Sequence, residues 1–252
     1  MAGAPSGSLL MLATFGLEIV ECGGAIAKHV RAGGMAHAAV AFSRAGSRPQ
    51  VEAAAKVLGI ASVQFMDLDS GDVPADAAGK IPFIELIRRT KPVIAITQDP
   101  VHAFGDLDPG RRDIMNVYIE SLALAGRDWR VAECGGHQPH SIKALYYMTP
   151  TTPNCMVDVS DVWDLKEKAM DQLGSQMAFS GEHFRGMMST QVSRAIAPDA
   201  DPEGDPATYG RAIHRATDLA FHLASGIQSH SGLVLAEPYR REGVFPLTHL
   251  LV

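Results

Sequence analysis

The chain has 252 residues, of which 46% are hydrophobic, and it is long enough to bury a full hydrophobic core. Its formal net charge is −6, with acidic and basic residues interspersed, which argues against a nucleic-acid-binding protein because such proteins carry a basic patch or stripe. The three cysteines lie far apart without a CxxC pair, and no apolar run approaches the roughly 20 residues of a membrane helix. We therefore expect a cytoplasmic protein that binds neither nucleic acid nor a membrane.

The first half of the chain alternates strands with helices. Apolar runs predict four strands, at residues 8–14, 35–43, 61–68 and 92–97. The first run is interpreted as a buried strand rather than a signal peptide, because no basic residue precedes it. Start and stop signals predict helices over residues 22–30, 48–59, 81–90 and about 108–125. This order predicts an α/β protein with a Rossmann-like parallel sheet and helices on both faces.

The second half is less regular. Residues 143–148 and 155–160 are predicted strands, and residues 161–177 form an amphipathic helix. A Pro-, Gly- and Asp-rich segment at 197–210 is typical of a loop. No repeat or long linker divides the chain, so we expect one domain over residues 1–252 with an irregular carboxyl-terminal part.

Ligands of such sheets bind beyond the carboxyl ends of the strands. In this chain those ends are the segments that follow each predicted strand, at residues 14–18, 43–48, 68–73 and 97–107.

Several motifs, in the same order along the chain, resemble the PIG-L/LmbE superfamily of metal-dependent de-N-acetylases. Its members carry AHPDDE after the first strand and then CGG at the start of the first helix, where this chain has ATFGLE (13–18) and CGG (22–24). The segments TQDP, GGHQPH and AEPYRR look most like its zinc-dependent 4-oxalomesaconate hydratase branch, which acts in aromatic-acid catabolism. The resemblance covers most of the chain except an apparent insertion at about 180–220. We expect this insertion to form a lid or an oligomer interface.

The residues that the resemblance assigns to the metal site are replaced. The first metal histidine falls on Thr14, the general-base aspartate on Gly16 and the metal aspartate on Leu17. The remaining metal histidine falls on Leu107, or on Asp108 after a one-residue slip. Zinc requires nitrogen, sulfur or carboxylate donors, which threonine, glycine and leucine do not supply. We therefore expect a vacated metal site, no metal ligands and no cofactor.

Three residues are candidates for catalysis without a metal. His137, in the segment that resembles the hydratase branch, is expected to face the old pocket and to transfer a proton near neutral pH. His102 follows a predicted strand end and is a possible companion, and Glu18 is a candidate base. The competing interpretations are hydrogen-bonded loop histidines and a polar residue at a strand end.

Four further residues are candidates for substrate binding: Arg111, Arg112, His140 and Thr14. The two arginines could clamp a carboxylate, or they could be solvated in a first helical turn. A relocated metal site on His102, His137 and His140 is the weaker reading, since HxxH in a Gly/Pro turn is not a helical ligand pair. His214, His222 and His230 recur every eight residues and are expected at the surface or an interface.

Three functions are compatible with these residues. The first is a non-catalytic or accessory subunit in aromatic-acid catabolism, which forms a homo-oligomer or a complex with an active paralogue. The second is a metal-independent hydratase, isomerase or lyase that acts on an unsaturated carboxylic acid with His137 as acid and base. The third is a zinc-dependent deacetylase with a displaced site. An active protein would resemble the hydratase rather than the deacetylases, and a small carboxylate or aromatic molecule is the expected ligand.

Overall fold

A seven-stranded sheet organises the chain in the computed structural model, which describes residues 7–228 and 232–243. The strands are β1 (Ser8–Ala13), β2 (Met35–Val40), β3 (Ser62–Phe65), β4 (Pro92–Gln98), β5 (Ala144–Met148), β6 (Cys155–Asp158), β7 (Ile227–Gln228), β8 (Gly232–Leu233) and β9 (Ala236–Arg241). The sheet has the order β3-β2-β1-β4-β5-β9-β6, while β7 and β8 form a separate hairpin. The predicted α/β class is therefore confirmed.

The sheet is mixed rather than wholly parallel. Strands β1 to β5 pair in parallel, as predicted, with the strand order reversing between β1 and β4. Strand β9 is antiparallel to both of its neighbours, β5 and β6. The expectation of a wholly parallel sheet is thus corrected. Strand β9 begins at the carboxyl end of β5, after a long helix, and runs back toward the amino end between β5 and β6.

The helices are α1 (Glu18–Glu21), α2 (Gly23–Arg31), α3 (Arg48–Leu58), α4 (Ala77–Thr90), α5 (Pro100–Gly105), α6 (Pro109–Ala125), α7 (Trp163–Met170), α8 (Gly174–Met187), α9 (Thr190–Ile196) and α10 (Pro206–Ser225), with a 3₁₀ turn at Ser160–Val162. Two differences from the predictions matter. The helix expected over 161–177 is broken by a turn at residues 171–173, and the segment 97–107 contains α5, which Asp99 caps by accepting from the Val101 amide. Of the helices in the described part of the chain, none combines the length and the apolar character needed to cross a bilayer.

Strand β1 shows why the sheet is covered on both sides. Leu9 and Met11 belong to an apolar cluster with α2, α3 and α7, whereas Leu10 and Leu12 belong to a second cluster with α4 and α6. Alternate residues of a strand point to opposite faces, so a continuous apolar run buries both. This arrangement leaves the strand ends as the place where polar side chains can gather.

The expected insertion consists of helices. Most of the loop predicted at 197–210 is a pair of turns, and α10 begins at Pro206. Helices α8 and α10 pack closely because Gly181 and Gly210 face each other: a Cβ on Gly181 would lie 2.0 Å from the Pro206 carbonyl oxygen. The role of this segment as a lid or an oligomer interface stays a prediction.

Candidate functional site

Four polar side chains meet at the carboxyl edge of the sheet, where the strand order reverses between β1 and β4. Arg111, in the first turn of α6, donates from Nη1 to Glu18 Oε1 at 3.1 Å and to Gln98 Oε1 at 2.8 Å. Its Nε lies 3.2 Å from Oδ2 of Asp106, and its guanidinium stacks 5.0 Å from the centroid of the Phe15 ring. We call Glu18, Gln98, Asp106 and Arg111 the arginine cluster. It occupies the edge at which ligands of such sheets bind.

Glu18 is the buried member of the arginine cluster. Its side chain is 3% exposed, and besides Arg111 it accepts a hydrogen bond from the Phe15 amide at 2.9 Å. Burial raises the pKa of Glu18 to about 7, against the opposing effect of Arg111. Glu18 is therefore a carboxyl group that exchanges its proton near neutral pH.

The loop after β1 does not fit a zinc ion. Thr14 supplies only a neutral hydroxyl, and Leu17 packs against the apolar cluster of α2 and α3. A Cβ on Gly16 would lie 2.3 Å from Cγ2 of Val51, so the general-base aspartate of the resembling family would need Val51 to move. The three positions thus lack the donor atoms of a zinc site, and Val51 occupies the space that an aspartate at position 16 would need.

The second half of the expected ligand set does not fit either. The Leu107 side chain is 96% exposed and offers no donor atom. Asp108, the alternative position, accepts from the Gly110 amide at 2.9 Å and caps α6. Among the described residues, no group of three His, Cys, Asp or Glu side chains comes together in a way that could hold a metal ion.

Thr14 and Arg112 lie beside the arginine cluster without joining it. Thr14 is buried, and its hydroxyl has no hydrogen-bond partner in the described part of the chain. Arg112 donates from Nη1 to the backbone carbonyl of Asp106. Substrate binding by these two residues stays a prediction, as it does for Arg111, whose two Nη1 protons already contact protein acceptors.

His102 lies next to the arginine cluster. It projects from α5, and its Nε2 is 3.8 Å from Oδ2 of Asp106. It also lines a cavity of about 710 Å³, which we call the outer cavity, between the β5–β6 connection and α10. His102 thus lies at the same edge as Glu18 and Arg111, and its role in catalysis stays a prediction.

His137 and His140 lie elsewhere. His140 Nε2 is 2.7 Å from the carbonyl oxygen of Pro92, the first residue of β4, and the amide of His140 donates to Ala125 at the end of α6. The His137 amide donates to the Cys134 carbonyl in the same connection. Both histidines therefore lie at the amino edge of the sheet, and the expectation that His137 faces the old pocket is wrong. The cause is topological, because a segment between a helix and the next parallel strand returns to the amino edge.

A buried ion pair near the same carboxyl edge was not predicted. Lys166 on α7 lies 3.0 Å from Oε1 of Glu237 on β9, and both side chains are 3% exposed. Glu237 also accepts from the amides of Gly24 and Ala25 at 2.8 Å each, which anchors the start of α2. The sequence gives little sign of this pair, since its members are 71 residues apart.

The periodic histidines of α10 are not all at the surface. His222 is buried, which corrects that expectation, because it packs edge-on against Trp163 with ring centroids 4.9 Å apart. His214 is half-buried, its Nε2 lies 2.9 Å from Oγ of Ser180, and burial lowers its pKa to about 4. His230 lies outside the described residues.

Solved structures with a similar fold include a hydratase and a deacetylase. GalB, the 4-carboxy-2-hydroxymuconate hydratase from Pseudomonas putida KT2440, superposes with a TM-score of 0.66 at 19% identity over 97% of this chain and 99% of that one. The N,N′-diacetylchitobiose deacetylase from Pyrococcus horikoshii superposes with a TM-score of 0.66 at 17% identity over 94% of this chain and 84% of that one.

A sequence match points in the same direction over a shorter span. The diacetylchitobiose deacetylase of Thermococcus kodakarensis is 28% identical over 124 residues, which are 48% of this chain and 46% of that enzyme. No family model matches the chain. The structural likenesses show the fold: it is the PIG-L/LmbE-like fold that the sequence resemblance predicted.

Proposed function

We propose that this chain is a metal-free, non-catalytic protein built on the deacetylase fold. The observation that carries the proposal is the arginine cluster. At the edge where the resembling family holds zinc, a guanidinium lies between the carboxylates of Glu18 and Asp106. A divalent cation there would be repelled by Arg111 and would find no histidine or aspartate on the loop after β1.

The accessory role is the finer part of this proposal. A subunit that assists an active paralogue, or that assembles with itself, needs a contact surface rather than a reaction centre. Apolar side chains exposed beside the arginine cluster, on Val101, Phe104 and Leu107, support such a contact. The fold likeness to GalB, a 4-carboxy-2-hydroxymuconate hydratase, supports a place in aromatic-acid catabolism.

A second function is favoured by one specific observation, the pKa of about 7 at Glu18. A carboxyl group poised near neutrality can act as acid and base on an unsaturated carboxylic acid without a metal. In this alternative Glu18, with His102 nearby, replaces His137, which lies at the opposite edge of the sheet.

An activity assay separates these functions. Untagged protein is incubated with N,N′-diacetylchitobiose and zinc, and separately with an unsaturated dicarboxylic acid and a chelator. The proposal predicts neither acetate release nor loss of the conjugated absorbance. Zinc-dependent acetate release would contradict it. Chelator-resistant hydration that disappears in Glu18→Gln but survives in His137→Ala would establish the second function instead.

The accessory role needs a separate measurement. The proposal predicts that adding this chain raises the turnover of an active paralogue from the same source, or that sedimentation velocity shows a defined homo-oligomer. A Phe104→Asp variant, which places a charge on the exposed apolar surface, is expected to abolish either effect. A monomer with no influence on the paralogue would contradict the accessory role.

A further inference from the structure

A second cavity lies behind the outer cavity. It has a volume of about 70 Å³, which is room for a few water molecules or one small head group, and we call it the inner cavity. Its polar lining comes from α1, α7, α10 and β9, through the residues Glu21, Lys166, Asp218, His222 and Glu237. Thr149, Phe221 and Pro238 line both cavities and so connect them.

The ammonium group and the thiol that line the inner cavity already have acceptors. Lys166 Nζ donates to the carbonyl oxygens of Val20 and Glu21 and to Oε1 of Glu237, which accounts for all three of its protons. Cys22 donates to the sulfur of Met148. No ammonium proton of Lys166 is left to bind an anion.

The hydrogen-bond acceptors, in contrast, are not saturated. His222 Nδ1 lies 2.6 Å from the carbonyl oxygen of Asp218, and since a carbonyl only accepts, the ring proton is on Nδ1. Nε2 therefore carries a lone pair, and this buried atom has no partner among the described residues. The half-buried carboxyl groups of Glu21 and Asp218 also accept no hydrogen bond from the described residues, in contrast to Glu237, whose two oxygens accept four.

The charged groups around the inner cavity favour a cationic ligand. Lys166 and Glu237 form an ion pair, whereas Glu21 and Asp218 form none within the described part of the chain. Burial raises the pKa of the Glu21 carboxyl, Lys166 opposes this rise, and the proximity of Asp218 adds to it. Burial also raises the pKa of Asp218 and lowers the pKa of His222, so the imidazole is neutral at pH 7. A cation with several N–H groups would meet acceptors to which no described residue donates.

The outer cavity defines the rest of the ligand. Its walls are mainly apolar, with Pro150, Met156, Phe221 and Pro238 around the space. Its volume of about 710 Å³ is typical of a small-molecule site. Between the two cavities stands Thr149, a β-branched residue with φ of +46°, whose buried hydroxyl also has no partner in the described part of the chain.

We propose that the two cavities form one binding site for a primary amine with an aromatic or alkyl body. The ammonium group enters the inner cavity and donates to His222 Nε2 and to the carboxylates of Glu21 and Asp218. The apolar body lies in the outer cavity against Phe221 and Met156. The site is separate from the arginine cluster and does not depend on the function proposed above.

Calorimetric titration with 2-phenylethylamine tests this site. We expect one molecule bound per chain, with 2-phenylethanol and 3-phenylpropanoate at least about tenfold weaker, because a charge-assisted hydrogen bond contributes at least that factor. The isosteric variants Glu21→Gln and Asp218→Asn are each expected to weaken amine binding by about tenfold. The matched control is Glu52→Gln, an exposed carboxylate on α3, which should bind as the wild type does.

Three results would overturn the proposal: no saturable binding of the amine, equal affinity for the alcohol or the carboxylate, or amine binding that neither cavity variant weakens. Phe221→Ala provides a second, structurally mild test, because this side chain is half exposed and its loss should not prevent folding. It should weaken the binding of 2-phenylethylamine more than that of ethylamine. Equal losses for the two amines would place the apolar body outside the outer cavity.

Discussion

Two polar regions at the same edge of the sheet differ in whether their hydrogen-bonding groups have partners. In the arginine cluster, Arg111 contacts Glu18, Gln98 and Asp106, so its charge and both of its Nη1 protons are already used. In the inner cavity, Lys166 is saturated while His222 Nε2 has no partner among the described residues. The comparison shows that a cluster of charges does not by itself mark a binding site. The unsatisfied groups do.

The largest effect on stability is expected at Glu237, which lines the inner cavity. Glu237→Ala removes a carboxylate that accepts from Lys166 and from two backbone amides, and leaves a buried ammonium without its counter-ion. We expect the free energy of unfolding in urea to fall by about 3–5 kcal/mol. The control is Glu242→Ala, whose half-exposed carboxylate pairs with Arg240 and should contribute at most about 1 kcal/mol. Similar small losses for both variants would show that the Lys166–Glu237 pair does not hold α2, α7 and β9 together.

The arginine cluster should reveal itself in the pH dependence of stability. Glu18 has a pKa of about 7 in the folded chain against 4.5 as an ordinary glutamate, so between these values the folded state binds more protons than the unfolded state. The free energy of unfolding must then fall as the pH rises from about 4.5 to 7. Glu18→Gln removes this dependence, and the variant should exceed the wild type by about 1–3 kcal/mol at pH 8.

Urea denaturation of wild type and Glu18→Gln at pH 4.5 and pH 8 measures this difference. At pH 4.5 the two proteins should be nearly equal, because the wild-type carboxyl is then protonated in the folded state. A variant that is less stable than the wild type at pH 8 would mean that Arg111 overcomes the effect of burial. Glu18 and Arg111 would then form a stabilising ion pair, and Glu18 would not titrate near neutral pH.

Thr14 offers a smaller test at the boundary of the arginine cluster. Its buried hydroxyl has no partner in the described residues, so Thr14→Val replaces an unsatisfied polar group with one of the same shape. We expect the free energy of unfolding to rise by up to about 1 kcal/mol, as judged by the midpoint of urea unfolding. Ser189→Ala removes a hydroxyl that caps α9 and should shift the midpoint in the opposite direction. A loss in Thr14→Val would indicate a hydrogen bond from the Thr14 hydroxyl.

The smallest effect is expected at the amino edge. His137→Ala changes a half-buried side chain far from both polar regions, so we expect the free energy of unfolding and the affinity for 2-phenylethylamine to change by less than about 0.5 kcal/mol. Thermal unfolding and the calorimetric titration measure the two quantities. A large loss of amine binding would make the assignment of the two edges wrong.

Most of the fold could be predicted, because continuous apolar runs, helix start and stop signals and β/α alternation are local signals. Strand β9 could not be placed, since its antiparallel insertion between β5 and β6 depends on distant pairs such as Cys155 and Tyr239, which are 84 residues apart. The site was predicted in part. Strand-end reasoning assigned Thr14, Glu18 and His102 to one edge, where the structure has them, whereas Arg111 was a candidate only as part of a helix start.

The same topological rule, applied to residues 135–140, would have placed His137 and His140 at the other edge, because they lie between α6 and β5. His222 was missed for a different reason. Histidines that recur every eight residues give no sequence signal of burial. Only the packing of α10 on α7 and β9 places His222 at the inner cavity.

The central claim is that a guanidinium replaces the metal at the carboxyl edge of the sheet. Zinc and other transition metals per chain, measured by plasma mass spectrometry on untagged protein purified without chelators, test it most directly. The account predicts far less than one metal ion per chain, both in the wild type and in Arg111→Met. One zinc per chain in the wild type, lost in Asp106→Asn or Asp108→Asn, would contradict it and restore a metal site to this edge.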